Sequence, residues 1–417
     1  MLNSLSSIMM VSGLVFMGTA PFVADYIVLV VGLVGLLLAL VTRDAVFKTW
    51  PIRMILLALV LVGVTVPFVY RGEADMLPLA AFSPLLLAPG IAAILARNAE
   101  WLSAKTFAMA CLVGAIAACL VGLAEFAAVE GARAGAGNNP IHYGGIATML
   151  GFGALIGVVA DRSPLRLIFL LGPVAALIAV LLSGSRGPLL AWVALGAIVL
   201  PFIAWWHRRD RLMLVALALA VVAAISVVAL SPQNRAVTLL GAATSATLSS
   251  TAPIDPVVPS AEGAPTELVA EAPVLQALQQ QDSARVALLQ TAWEAFKSSP
   301  IVGIGYGQIM PLFRELNPDA VELHTLENLH SDIGNFAAMS GLLGLLAYAL
   351  IVLSPLALLW GVKGADSRPL VLGSVMLVVG YGVLGTTNAM FGLLPQTVLF
   401  ALWLGYLVAY RRALTAD

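Results

Sequence analysis

The sequence predicts an all-α, polytopic membrane protein of about twelve transmembrane helices, with a large, partly helical outer loop between helices nine and ten. Three observations carry that prediction. Hydrophobic residues fill 61% of the 417 positions and charged residues only 10%, where a soluble domain carries about 25% charged residues. Mean hydropathy is +1.00. Apolar runs of about 20 residues, the length that crosses a bilayer as a helix, recur along almost the whole chain.

Cutting the chain at charges and at Pro/Gly clusters sets the spans at 8–23, 26–42, 52–69, 76–96, 104–128, 141–160, 165–182, 187–206, 211–230, 333–361, 368–387 and 391–410. The chain thus divides into helices one to nine (1–230), the large loop (231–332) and helices ten to twelve (333–417). No Lys or Arg precedes Arg43, so the first apolar stretch lacks the basic flank of a cleavable signal and reads as a retained span.

Basic residues orient the bundle. With the N-terminus inside, seven of the 21 Lys and Arg fall outside: Arg71, Arg133, Arg186, Arg235, Arg285, Lys297 and Arg314. The last four of these share one loop of about 100 residues, too long to count under the positive-inside rule. The remaining fourteen lie inside, so both termini are expected in the cytoplasm. Arg71, Arg133 and Arg186 stand against this bias, each at the mouth of a helix. Such residues are candidates for function, with snorkelling to lipid phosphates as the plainer alternative for Arg71 and Arg133.

Cys111 and Cys119 sit eight residues apart in one apolar run and read as packing residues, which leaves no disulfide framework and no thiolate metal site. A net charge of −1 speaks against a nucleic-acid partner. Within the long loop, 241–272 is rich in Ala, Pro, Ser and Thr without aromatics and is expected to lack stable structure. Residues 273–298 then adopt helical spacing. They carry Arg285 on the edge of an apolar face with Leu289, Ala292 and Phe296, as suits a helix at the membrane mouth. The following "SPIVGIGYGQ", with Gly303, Gly305 and Gly307, has neither a βαβ frame nor a Walker lysine and reads as a tight turn.

Three histidines fall on the outer side, His142, His324 and His330, whereas His207 belongs to the inner "WHRRDR" and reads as a surface residue. The spacing of His324 and His330 does not put them on one helical face, as a zinc pair would favour. Glu73 and Asp75 stand alone as an acidic pair, and no metal or other cofactor is expected. In a periplasm without ATP, a biosynthetic enzyme needs a pre-activated donor such as a sugar on a polyprenyl diphosphate. Arginines would grip that diphosphate through bidentate bonds, and a histidine would take the proton from the accepting hydroxyl.

These residues also carry a resemblance. His330, Ser331, nine residues, Gly341, two residues and Gly344 are similar to the O-antigen ligase pattern. "SGSRGPLL" resembles that family's outer-loop motif through Arg186 and Leu190. Arg285, Trp293 and "PIVGIGYG" are similar to the segment preceding the histidine. "RAGAGNNPIHYGG" is similar to an Arg-to-Asn-Pro segment with Arg133, Asn139 and Pro140.

The resemblance implies a metal-independent, inverting glycosyltransferase of the bacterial inner membrane with its active site facing the periplasm. Its donor would be undecaprenyl-diphosphate-linked O-antigen and its acceptor lipid A-core, among membrane lipids. His330 would be catalytic, and Arg186 and Arg285 would bind diphosphate. Arg133, Arg71, Asn139 and His324 are further candidate substrate contacts. Ser331 departs from the more common Asn. Glu327 and Asp332 are the nearby carboxylates for orienting His330. An O-antigen polymerase is the nearest alternative, followed by a protein O-oligosaccharyl ligase and, from another class, a secondary transporter, against which the absence of an internal repeat weighs.

Overall fold

The computed structural model describes residues 2–129, 133–230 and 272–415. The 241–272 stretch expected to lack stable structure lies, except for Ala272, outside the described residues. In chain order the helices are α1 (Leu2–Met10), α2 (Pro21–Val41), α3 (Trp50–Val69), α4 (Leu77–Phe82), α5 (Leu87–Leu95), α6 (Ala99–Leu102) and α7 (Ala104–Ala128). They continue as α8 (Pro140–Ala154), α9 (Ile156–Ala160), α10 (Leu171–Ser183), α11 (Arg186–Trp206) and α12 (Arg211–Leu230). After the long loop come α13 (Ala272–Ser298), α14 (Tyr306–Leu316), α15 (Asp332–Leu353), α16 (Arg368–Thr387) and α17 (Leu394–Ala413).

The polytopic all-helical expectation holds. Among the described residues nine helical stretches are long and apolar enough to cross a membrane, and Ser4–Val15 and Arg211–Ala224 are shorter apolar helices. A further 20-residue helix, α17, is mostly buried among the others. The first boundary differs from expectation. A π-helical turn, Val11–Val15, ends the first helix early, and Pro21 opens the second at its first turn. Proline is pre-set for that position because its missing N–H would have no partner there.

Small residues bring the helices close, as in lipid where no hydrophobic gradient drives their association. Gly35 of α2 meets Gly90 of α5 backbone to backbone, and Gly151 of α8 meets Gly172 of α10 in the same way. Helices α8, α9 and α16 share one antiparallel register: Ile156 packs on Gly373, Met149 on Gly380 and Leu384 on Gly145.

One end of the bundle gathers ion pairs. Asp44 holds Arg412 at 2.8 Å and Arg97 at 3.7 Å. Lys105 lies 2.8 Å from Asp161, and Arg166 pairs with Asp210. The candidate site residues cluster at the opposite end.

Helix α15 is broken in its first half. Gly341 takes φ +59° and ψ −141°, which no helix accommodates. The PIVGIG segment fills the gap: the carbonyls of Pro300 and Ile301 accept from the amides of Leu342 (2.8 Å) and Leu343 (3.3 Å). The amides of Ile304 and Gly305 donate to Ala338 (2.9 Å) and Met339 (3.2 Å). Backbone groups freed by the kink are therefore satisfied by another strand of chain, as a membrane interior demands.

Both motif glycines follow from this geometry. A side chain at Gly341 would meet the Pro300 carbonyl, and one at Gly344 would meet the carbonyl of Phe336, which the kink folds back against it. Gly341→Ala is expected to lower stability by about 2 kcal/mol or more, from left-handed strain and overpacking together. The readout is the thermal unfolding midpoint in detergent, and an unchanged midpoint would show that the break tolerates a side chain.

Candidate active site

His330 closes the loop before α15. Its backbone is left-handed at φ +49°, a region that histidine enters more readily than most residues. Polar side chains fix this turn. Asn328 Oδ1 accepts from the His330 amide at 2.9 Å, and Asn335 Oδ1 accepts from the Leu329 amide at 3.0 Å. Ser331 caps α15, its hydroxyl accepting from the Gly334 amide at 3.2 Å. Serine is a good cap, so its departure from the commoner Asn keeps the helix start intact.

The ring of His330 is oriented by an amide. Its Nδ1 lies 2.9 Å from Oδ1 of Asn388, in the turn after α16. An amide oxygen can only accept, so Nδ1 donates and the Nε2 lone pair remains for chemistry. Neither expected carboxylate makes this contact. Glu327 is exposed, and its main-chain carbonyl accepts from the Tyr306 hydroxyl at 3.2 Å. Burial, then the charge of Glu327, pushes the Tyr306 phenol up, which keeps it a donor. Asp332 is buried and accepts through Oδ1 from the amides of Met390 (2.9 Å) and Phe391 (3.2 Å). It staples the turn that carries Asn388.

Arg186 opens α11 and is exposed. The next residue, Gly187, packs on Thr387, the neighbour of Asn388, so Arg186 and His330 flank the same end of α16. Arg133 braces the turn before Arg186: Nε donates to the Ser183 carbonyl at 2.8 Å and Nη2 to the Ser185 hydroxyl at 2.9 Å. Beside it lies an open depression of about 320 Å³ lined by Glu125, Ala128, Arg133, Gly137 and Asn138. The Glu125 carboxylate shapes it by accepting from the amides of Gly135 (2.8 Å) and Ala136 (3.0 Å).

Arg285 is placed by helix register. Ala292 of α13 packs on Gly334 of α15, and Pro300 and Ile301 bond Leu342 and Leu343 at the same offset, so the two helices run parallel. That offset sets buried Leu288 near the start of α15, with exposed Arg285 about one helical turn, roughly 5 Å, before it along α13.

Three predicted residues have other engagements. The Asn139 side chain caps α8, accepting from the Ile141 amide at 2.9 Å. His324 sets Nε2 at 3.0 Å from the Asn317 carbonyl and its ring edge against Phe313. Arg71 bonds Gln308 at 3.2 Å. Asp75, the buried half of the acidic pair, accepts from the Arg71 and Gly307 amides, each at 2.8 Å, and so ties α3 to the glycine turn. Asn388 escaped notice because it stands far along the chain from the histidine; its one signal is the polar "TTN" ending an apolar helix.

Fold and site together define a multi-pass helical membrane protein with an imidazole and several arginines at one end of its bundle. Residues 171–349, which hold Arg186, Arg285 and His330, match the family model for O-antigen ligase. No curated protein matches the chain.

Asp332→Ala leaves two buried amides without an acceptor and is expected to cost about 2 kcal/mol or more. Thermal unfolding combined with limited proteolysis at residues 388–393 would detect it, and wild-type behaviour in both would remove Asp332 from its stapling role.

Proposed function

We propose that the chain is an O-antigen ligase, moving O-antigen polysaccharide from undecaprenyl diphosphate onto lipid A-core at the periplasmic face of the inner membrane. The observation that carries this reading is the His330 imidazole, held by Asn388 with its Nε2 lone pair available, near Arg186 at the start of α11 and Arg285 midway along α13. The inner-end accumulation of Lys and Arg supports cytoplasmic termini and a periplasmic site.

In this reading the acceptor hydroxyl gives its proton to Nε2 as its oxygen bonds the anomeric carbon. The bond from that carbon to the diphosphate breaks, and the electron pair leaves with undecaprenyl diphosphate. Attack from the face opposite the leaving group inverts the anomeric centre. Arg186 and Arg285 hold the diphosphate and stabilise the charge that grows on it. Arg133 sets the turn from which Arg186 projects. Arg71, Asn139 and His324 act on the substrates through the loops they hold. The arginines neutralise the leaving group, so the reaction proceeds without metal.

The test is a reaction of purified protein with undecaprenyl-diphosphate-linked O-antigen and rough lipopolysaccharide, with and without EDTA. A glycan ladder on lipid A-core that survives EDTA is expected; longer glycans left on the carrier would make the protein a polymerase. His330→Asn, which tolerates the left-handed backbone, is expected to fold and to lose about 10²- to 10⁴-fold in rate. Near-native transfer by that variant would remove His330 from the base role. Arg186→Lys replaces a planar fork by a point charge and is expected to lower transfer about tenfold or more, while retained activity would reduce Arg186 to a source of field alone.

A further inference from the structure

The register between α8 and α16 has one more step to run. From Ile156 to Met149 to Gly145 along one helix, and from Gly373 to Gly380 to Leu384 along the other, the paired positions advance together. The next position on the α8 stripe is His142, and opposite it stand Thr387 and Asn388. His142 is 9% exposed, and its backbone carbonyl is pinned by the Gln396 amide at 2.9 Å. The imidazoles of His142 and His330 lie within electrostatic reach of each other.

Besides Oε1 of Gln396 and Oδ2 of Asp332, two buried atoms are without a hydrogen-bond partner here among the described residues: Nδ1 of His142 and Nδ2 of Asn388, whose residue is 2% exposed. Nδ1 of His142 accepts when the ring carries its proton on Nε2, and Nδ2 of Asn388 can only donate. Buried polar atoms are rarely left unmatched, and these two stand at the same level of facing helices.

We propose that His142 is a positioning residue: its Nδ1, by a turn of the ring about Cβ–Cγ, accepts from Nδ2 of Asn388 and so fixes which end of that amide faces His330. The consequence is specific. An amide can offer either its oxygen or its nitrogen to a neighbouring imidazole. With the nitrogen forward, His330 would accept at Nδ1 and carry its proton on Nε2, where no base would remain. With His142 taking the nitrogen, the oxygen faces His330, Nδ1 keeps the proton and Nε2 stays basic. An uncharged chain of imidazole, amide and imidazole thus does by orientation what a carboxylate does by charge.

The inference rests on His330 as the base, so its first readout is independent of transfer. The chain has only 4 histidines, and ¹⁵N-histidine labelling of the full-length protein in lipid nanodiscs reads their tautomers. Native His330 is expected as one tautomer, protonated at Nδ1, with His142 Nδ1 showing the shift of an unprotonated, hydrogen-bonded nitrogen. His142→Phe keeps the ring shape and removes the acceptor. It is expected to turn His330 into a mixture of tautomers and to lower kcat about tenfold with KM unchanged.

Adding Asn388→Asp presents oxygen from either end, so the double variant is expected to recover both the single tautomer and part of the lost kcat. A folded His142→Phe protein in which His330 keeps one tautomer overturns the proposal. So does a native His142 that is protonated or unbonded at Nδ1, which decides the matter even where the variant fails to fold. If the tautomer shifts as expected but His330→Asn still transfers glycan, the base assignment falls and the positioning role stands.

Discussion

Four backbone hydrogen bonds across the break in α15 set how α13 and α15 sit against each other beside the candidate site. In a bilayer an interrupted helix must find partners for the amides and carbonyls it releases, and water is scarce. Here the partners come from the chain immediately after α13, so that α13, α14 and α15 become one unit. Because the exchange fixes the offset between α13 and α15, it also fixes where Arg285 stands relative to the start of α15. The glycines of the sequence motif are consequences of this crossing: one turns the chain left-handed, and the other makes room for a carbonyl that the turn brings back.

A second tier is built from polar side chains. Asn388 orients the imidazole, Asp332 holds the turn carrying Asn388, and Asn328, Asn335 and Ser331 hold the strained backbone of His330. Each bond is short in reach, yet the groups come from α15, α16 and the loops at their ends. Packing between those helices, through Gly385 against Asp332 and Tyr348, keeps the pieces in place. The histidine is thereby oriented without a charged neighbour bonded to its ring.

The spans were legible because a bilayer imposes one length and one chemistry on each, and Arg186, Arg285 and His330 were legible because they depart from that chemistry. The early end of the first helix was harder to see, since a π-turn leaves the apolar run unbroken. Asn388 was barely legible, through the polar end of its apolar helix alone. Its importance depends on which helix end it meets, and hydropathy carries no such information. The acidic pair shows the converse: Asp75 stands out in the sequence as half of an isolated acidic pair, whereas its carboxylate is committed to two backbone amides, one four residues away at Arg71 and one from the distant Gly307.

Exposure divides the site into two media. Arg186 and Arg285 are exposed, whereas Asn388, Asp332 and His142 are buried. Mobile ions reach the first set and not the second, and at physiological ionic strength a field in water fades over about 8 Å. Under the proposed function, grip on an anionic carrier would therefore be tunable by salt, while the direction in which the imidazole presents its lone pair would be insulated from it. Such a protein would hold its carrier loosely or tightly as its surroundings change, with the orientation of the imidazole left unaltered.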